Sequence, residues 1–420
     1  MPAGVVIVGS GQGGFQVAAS LRDQAYAGAI TLIGDEPGLP YQRPPLSKAY
    51  LAGKAQPGQV ELRPVAFFAE RGIDVIAPER VLGIDRSERR VTLASGTTLP
   101  YEHLVLATGA RARLPAITGA ELAGIVALRT RADADRLLAR LQQARRVVIV
   151  GAGFIGLEVA LVARDIGLDV HILEFTDRVL KRAVSAESAA FLAQAQIARG
   201  IRISLLTGAA AYTGSDGRVT GVLTTHGESV PADLVVVGIG VEPNVDLARD
   251  AGLAVQDGIL VDQRLLTADP AISAIGDCSR FPAAYAERAL RLESVQNSVD
   301  QAHCVAARLS GKPEAYTKVP WFWSDQGPNR LQIAGVASAD DSVVLRGDPV
   351  TGKFSVFRFR AGRLSAVESI NSVGDHMAAR KLLANQTPIS PDQAADCSLK
   401  LASASASARP SANTSPSLDG

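Results

Sequence analysis

Two short blocks of β-branched residues, Val5 to Val8 and Val147 to Val150, each run into Gly-x-Gly-x-x-Gly and then into a stretch whose apolar residues recur at helical spacing. The pattern predicts strand, tight turn and helix twice over. In the first copy the chain reads strand 4–8, helix 12–24 and strand 29–34. A Pro-rich loop over 41–51 follows, with strands near 74–76, 91–93 and 104–108. A second α/β unit is expected over 114–241, with helices at 133–143 and 154–166 and strands at 169–174 and 233–237. A strand ahead of Gly276-Asp277 and a polar helix from about 291 to 309 then return the chain to the first unit, so the second unit is read as an insertion. From Trp321 the period changes to two: LQIAGV, SVVLRG, FSVFRF and LSAVESI, the last two flanking Ala361-Gly362, read as an antiparallel sheet closed by a helix over 376–384. From Ser398 the chain is rich in Ser and Ala and almost free of large apolar side chains. It is expected to be disordered.

The fold class read from this order is α/β: two dinucleotide-binding Rossmann-like domains and a C-terminal α+β domain. Expected boundaries are 1–113 with 242–317, 114–241, 318–397, and a tail over 398–420. A chain of 420 residues exceeds what one core usually serves, which agrees.

Each glycine turn, Gly9, Gly11 and Gly14 or Gly151, Gly153 and Gly156, sets the free N–H groups of a helix against an anion, the geometry that cradles a dinucleotide pyrophosphate. The matching acidic residue at the end of the next strand is present both times, as Asp35 and Glu36 and as Glu174. A carboxylate at Glu174 accepts a ribose 2′-hydroxyl and repels a 2′-phosphate, so the second site is read as one for NADH. The first site is read as one for FAD. Asp277, after its strand, suits the ribityl hydroxyls, and the helix beyond it offers its N-terminus to the flavin pyrimidine.

Charge and composition narrow the reading. Lys plus Arg number 43 against 42 Asp plus Glu, which supports no nucleic-acid or acidic-membrane partner. The three cysteines, Cys278, Cys304 and Cys397, stand far apart without Cys-x-x-Cys, arguing against a disulfide framework or a structural metal. With no leader and no long apolar run at its start, the chain is expected to work in the cytoplasm.

An ordered set of segments resembles the bacterial NADH-dependent, FAD-containing ferredoxin reductases of oxygenase systems, the putidaredoxin reductase and palustrisredoxin reductase family. The segments are PYQRPPLSKAYLAG (40–53), LVLATGAR (104–111), LRT (128–130), VVIVGAGFIGLEVA (147–160), VVVGIGVEPN (235–244), ISAIGDC (272–278), LESVQNSVDQA (292–302) and VPWFWSDQ (319–326). The resemblance implies a glutathione-reductase-like fold. It implies FAD against Gly13, Asp35, Arg43, Lys48, Val81, Arg129, Asp277 and Val295, with Thr108 and Gly109 in the LVLATGAR segment. It implies NADH against Gly153, Ile155, Gly156, Glu174, Gly240 and Glu293. It also implies a Lys48–Glu158 ion pair beside the flavin edge and Trp321 near the flavin. The family's function is to take hydride from NADH onto FAD and pass electrons singly to a [2Fe-2S] ferredoxin that serves a cytochrome P450 or dioxygenase. Related flavoproteins that reduce disulfides or peroxides need a redox cysteine beside the flavin. Here Leu46-Ser47-Lys48 occupies the single-cysteine loop, so electrons are expected to leave to an outside acceptor. Arg288, Arg291 and Arg330 are candidates for a basic rim that meets an acidic ferredoxin. Two other readings stay open: another acceptor such as rubredoxin or monodehydroascorbate, and a redox-responsive binding protein resembling apoptosis-inducing factor.

Overall fold

The computed structural model describes residues 4–283, 285–286 and 288–401. Gly4–Val8 is the central strand of a parallel sheet in the order Ile272–Ala274, His103–Leu106, Gly4–Val8, Ala29–Ile33, Ile73–Ile76. Arg146–Val150 is central to a second parallel sheet, ordered Arg202–Ser204, Asp169–Leu173, Arg146–Val150, Leu234–Val237, Ile125–Ala127. The unbroken apolar runs are explained by burial on both faces: Ile7 and Ile149 are both fully buried. Each such side chain contributes roughly 1.5–3 kcal/mol of transfer free energy.

The chain leaves the first sheet after His103–Leu106 and rejoins it at Ile272–Ala274, which pairs with that same strand. The second sheet is built entirely within this excursion. Ala110–Ala112 and Val241–Pro243 pair antiparallel at its two ends. Small antiparallel sheets accompany each parallel one, Val81–Asp85 with Arg90–Leu93 and Thr98–Pro100, and Ala209–Ser215 with Arg218–Thr224 and Ser229–Pro231.

Of the described residues, those within 4–318 and 324–328 form one compact body and those within 319–323 and 329–401 the other. The second carries the antiparallel strands Asn329–Gly335, Arg363–Ile370, Lys353–Arg360 and Ser342–Asp348 in that order, with helices Val373–Ala384 and Pro391–Ala395. Residues 398–401, where the disordered tail was expected to begin, are held. Arg346 donates to the carbonyls of Ala394 at 3.2 Å, Asp396 at 2.5 Å and Leu399 at 2.8 Å, and Leu401 is buried beside Phe357 and Leu382. The rest of that tail, 402–420, lies outside the described residues.

Local chemistry moved several boundaries. The helix expected from 133 begins at Arg131 because Thr130 caps it, accepting from Asp133 N at 3.1 Å. The helix expected from 291 begins at Val295, capped by Ser294 through Asn297 N at 3.1 Å. The strand expected to 108 stops at Leu106, and Thr108 instead donates its hydroxyl to Asn244 O at 2.7 Å.

Candidate cofactor sites

The two glycine turns share one backbone design. Gly9 N–H donates to Ile33 O and Gly151 N–H to Leu173 O, both at 2.8 Å, tying each turn to the end of the neighbouring strand. Gly9 and Gly151 hold φ of +111° and +102°, which side chains disfavour. A Cβ on Gly14 would stand 1.9 Å from Gly9 O, and one on Gly156 would stand 2.2 Å from Gly151 O. The fold itself therefore requires those four glycines.

The middle glycines are different. Gly11 has φ −72° and Gly153 φ −76°, angles open to any residue. A Cβ on Gly11 would meet nothing within 4 Å, and one on Gly153 only Gly238 O at 3.6 Å. Neither backbone nor packing demands glycine there. A group lying against the backbone does, which is the role the motif gives a pyrophosphate. Both helices start on these glycines with no side-chain cap and no acidic residue in the first turn, so no side chain of the turn competes with an anion at either N-terminus. The residues present thus fit two dinucleotides.

Around the first turn the structure draws together Arg43, Arg129, Asp277 and Gly109. Arg43 donates to Arg129 O and to Glu36 Oε1, both at 2.6 Å, and Arg129 donates to Asp277 Oδ2 at 2.7 Å. Gly109 lies within ordinary contact of Arg129, a Cβ there standing 3.6 Å from its Nη2. Burial works against the Arg43 charge, but Tyr41 and Glu36 beside it outweigh that and hold its pKa above the ordinary value. Burial also pushes the Tyr41 hydroxyl up to about 12. Gly13 faces Ile275 and Ser298, with 3.3 Å and 3.6 Å left for a Cβ. Asp35 is exposed and pairs with Arg80 at 3.2 Å, next to Val81, which is buried. Val295 opens the helix behind Asp277 and is half-buried.

Around the second turn Glu174 accepts from Ala152 N at 2.6 Å, inside the turn, and from Thr176 N and Oγ1 at 2.8 and 2.7 Å. Ile155, in the first helical turn, is 41% exposed. Gly240 has φ +108°, with Arg182 Nη2 3.2 Å from where its Cβ would stand. Glu293 is tied elsewhere: it accepts from Arg291 at 2.6 Å, and Arg291 also donates to Asp277 O at 3.3 Å.

Lys48 and Glu158 meet. Lys48 Nζ lies 2.8 Å from Glu158 Oε2, whose carboxylate is buried on the first turns of the second glycine helix. The same carboxylate accepts from the hydroxyls of Ser47 and, at 2.6 Å, Ser324. Sequence reading missed these serines. Both sit inside quoted segments, but no local spacing links positions 47, 158 and 324.

The three basic-rim candidates differ in exposure. Arg291 is largely buried and paired with Asp257 and Glu293, so its charge is offset at home; Arg288 and Arg330 are exposed. Cys278 is fully buried, donates to Ile275 O at 3.2 Å, and has its thiol pKa pushed up by burial. In the second body Trp321 packs on Trp323 with ring centroids 5.6 Å apart and on His376 at 6.0 Å, and the Arg380 guanidinium lies 4.4 Å over its ring. Among the described residues no helix is long and apolar enough to cross a membrane, and no cluster of His, Cys, Asp and Glu suits a metal ion.

The chain belongs to the pyridine nucleotide-disulphide oxidoreductase family, whose pattern matches residues 3–302, with a reductase C-terminal pattern over 321–405. Rhodocoxin reductase of Rhodococcus erythropolis is 48% identical over 397 residues, covering 94% of this chain and 93% of that protein. The ferredoxin reductase for the CYP199A2 system from Rhodopseudomonas palustris superposes with a TM-score of 0.94 at 47% identity, over 96% of this chain and 100% of that one. Putidaredoxin reductase in its covalent putidaredoxin complex gives 0.94 at 36% identity, over 97% and 99%. The resemblance carried by the motifs is therefore real. The chain is a flavoprotein oxidoreductase that uses FAD and NAD(P)H.

Proposed function

We propose that this protein is the NADH-dependent reductase of an oxygenase system, passing electrons through FAD to a [2Fe-2S] ferredoxin that serves a cytochrome P450 or dioxygenase. The observation that carries the reading is the pair of glycine cradles, each kept free of a side chain the fold would accept. The first cradle, with Arg43, Arg129 and Asp277, is assigned to FAD and the second, with Glu174, to NADH. Bound FAD supplies a two-electron acceptor able to release its electrons one at a time.

The chain's own residues bind, orient and set charge. The N-termini of the two glycine helices, uncapped by side chains, take the pyrophosphates. Glu174, already held by Ala152 and Thr176, presents a fixed carboxylate that favours a ribose hydroxyl over a phosphate. Lys48 brings an ammonium that favours negative charge nearby, and Glu158 fixes its direction. No thiol stands in the Leu46-Ser47-Lys48 loop, Cys278 is buried, and Cys304 and Cys397 stand far apart in sequence with no Cys-x-x-Cys, which favours an acceptor other than a dithiol of this chain. The acceptor is then a separate protein, as the names of the relatives indicate for them. Three free cysteines suit a reducing, cytoplasmic setting.

The test is turnover of the FAD-loaded protein with NADH and, in parallel, a [2Fe-2S] ferredoxin or a rubredoxin. Fast ferredoxin reduction supports the reading. Reduction of rubredoxin alone changes the acceptor, and persistent reduced protein with neither acceptor favours a redox-responsive binding protein.

A further inference from the structure

A buried polar relay ends on the Glu158 carboxylate, and its direction can be read from two backbone carbonyls. Gln326 Nε2 lies 3.5 Å from Phe154 O and 2.8 Å from Ser324 Oγ, while its Oε1 accepts from Gln196 Nε2 at 3.3 Å. Gln196 Nε2 also donates to Leu157 O at 3.3 Å. A carbonyl oxygen only accepts, so Phe154 O and Leu157 O each fix which end of a glutamine amide faces them. Gln196 must then donate to Gln326, and Gln326 to Ser324. With its oxygen accepting from Gln326, Ser324 points its single proton at Glu158 Oε1, 2.6 Å away. Ser324 is fully buried, and Gln196 and Gln326 are also buried, so no solvent competes for these bonds.

We propose that Ser324 is a positioning residue for the electron-transfer reaction. Oriented by Gln326 and Gln196, its hydroxyl clamps one oxygen of Glu158 so that the other is aimed at Lys48. The proposal rests on the reading of Lys48 and Glu158 as the charge pair that serves the flavin. A buried carboxylate with two of its partners, Ser47 and Lys48, on one oxygen would otherwise be free to swing. The clamp relieves part of the carboxylate's charge, which leaves more of the Lys48 charge to act on its surroundings. The serine and both glutamines lie outside the glycine cradles, and the relay is assembled from four separate stretches of chain.

The experiment compares wild type, Ser324→Ala, Ser324→Thr, Ser324→Cys and Glu158→Gln, all FAD-loaded, by anaerobic NADH reduction and flavin midpoint potential. Ser324→Ala is expected to slow the limiting reduction rate about tenfold, the scale of one lost hydrogen bond to a charged group, with NADH affinity little changed. Its midpoint potential moves to more negative values. Ser324→Thr keeps the hydroxyl and restores both quantities. Ser324→Cys, a near-isostere with a weak donor, falls between them and stands in if the alanine variant does not fold. A Ser324→Ala or, in its absence, Ser324→Cys protein that matches wild type in rate and potential while Glu158→Gln is impaired overturns the proposal. A Glu158→Gln protein with wild-type rate and potential overturns the underlying reading of the charge pair, and the proposal with it.

Discussion

The two glycine turns are the same backbone used with two different carboxylates. At the first, Asp35 looks outward to Arg80, and Glu36 turns to Tyr41 and Arg43, with the Tyr41 hydroxyl and an Arg43 bond at 2.6 Å on its oxygens. At the second, Glu174 folds back onto the turn itself, accepting from Ala152 N at 2.6 Å and from Thr176. The motif specifies a strand, a turn and an open helix N-terminus. What differs is the surroundings: the Arg43, Arg129 and Asp277 group, which the motif does not contain, at the first turn, and the motif's own carboxylate, fixed by Ala152 and Thr176, at the second.

The comparison breaks most completely at the glycines the fold needs. Gly14→Ala and Gly156→Ala force a Cβ to 1.9 and 2.2 Å from a backbone oxygen, so each is expected to cost more than about 4 kcal/mol. Soluble yield and thermal unfolding check this, and a wild-type melting curve for either would contradict the packing account.

The middle glycines should separate the two sites at intact fold. Gly11→Ala is expected to leave secondary structure unchanged while the purified protein loses its flavin. Gly153→Ala should stay yellow and lose NADH affinity by about tenfold or more, the cost of one blocked contact on the cradle. Flavin content and equilibrium NADH titration read the two effects. If each variant lost the other cofactor, the assignment of FAD and NADH would be reversed.

Glu174→Ala sharpens the second site alone. It removes the preference for a 2′-hydroxyl and is expected to lower the NADH over NADPH ratio of kcat/KM by about tenfold, the scale of one hydrogen-bonded discrimination. Flavin content should not change.

The smallest effect compares the two sheets. Burial, then the Arg308 charge, pushes His103 on the first sheet down to about 3, and burial, then Arg202, lowers His171 on the second. Both are depressed from an ordinary value of 6.5, so the unfolded chain binds the extra proton first. The stability they contribute is full above that value and is lost as pH falls toward the folded pKa. His103→Gln should flatten the fall in melting temperature below pH 6.5 more than His171→Gln does. Equal slopes in both variants would contradict this.

Much of this was legible in the sequence because it is local. Val5–Val8 and Val147–Val150 with their glycines announce strand, turn and helix, and Lys48 and Glu158 stood in segments specific enough to expect their meeting. Of the small antiparallel sheets only the strand Arg90–Leu93 was expected, near 91–93; Val81–Asp85 and Ala209–Ser215 were hidden, since short strands with mixed polarity carry no clear period. So was the Ser324, Gln326 and Gln196 relay, because positions 47, 158, 196 and 324 come together only through the tertiary fold. Arg291 read as a surface charge, yet its side chain is largely buried and paired with Asp257 and Glu293.

The central claim is that electrons enter at the second cradle, pass to the flavin held by the first and leave to an iron–sulfur protein. Anaerobic stopped-flow mixing of the FAD-loaded protein with NADH or NADPH, followed by a [2Fe-2S] ferredoxin, tests it most directly. The account predicts rapid bleaching of the flavin band by NADH, slower bleaching by NADPH, and fast return of the oxidised band on adding ferredoxin. Bleaching by NADH with no return on adding ferredoxin would contradict it.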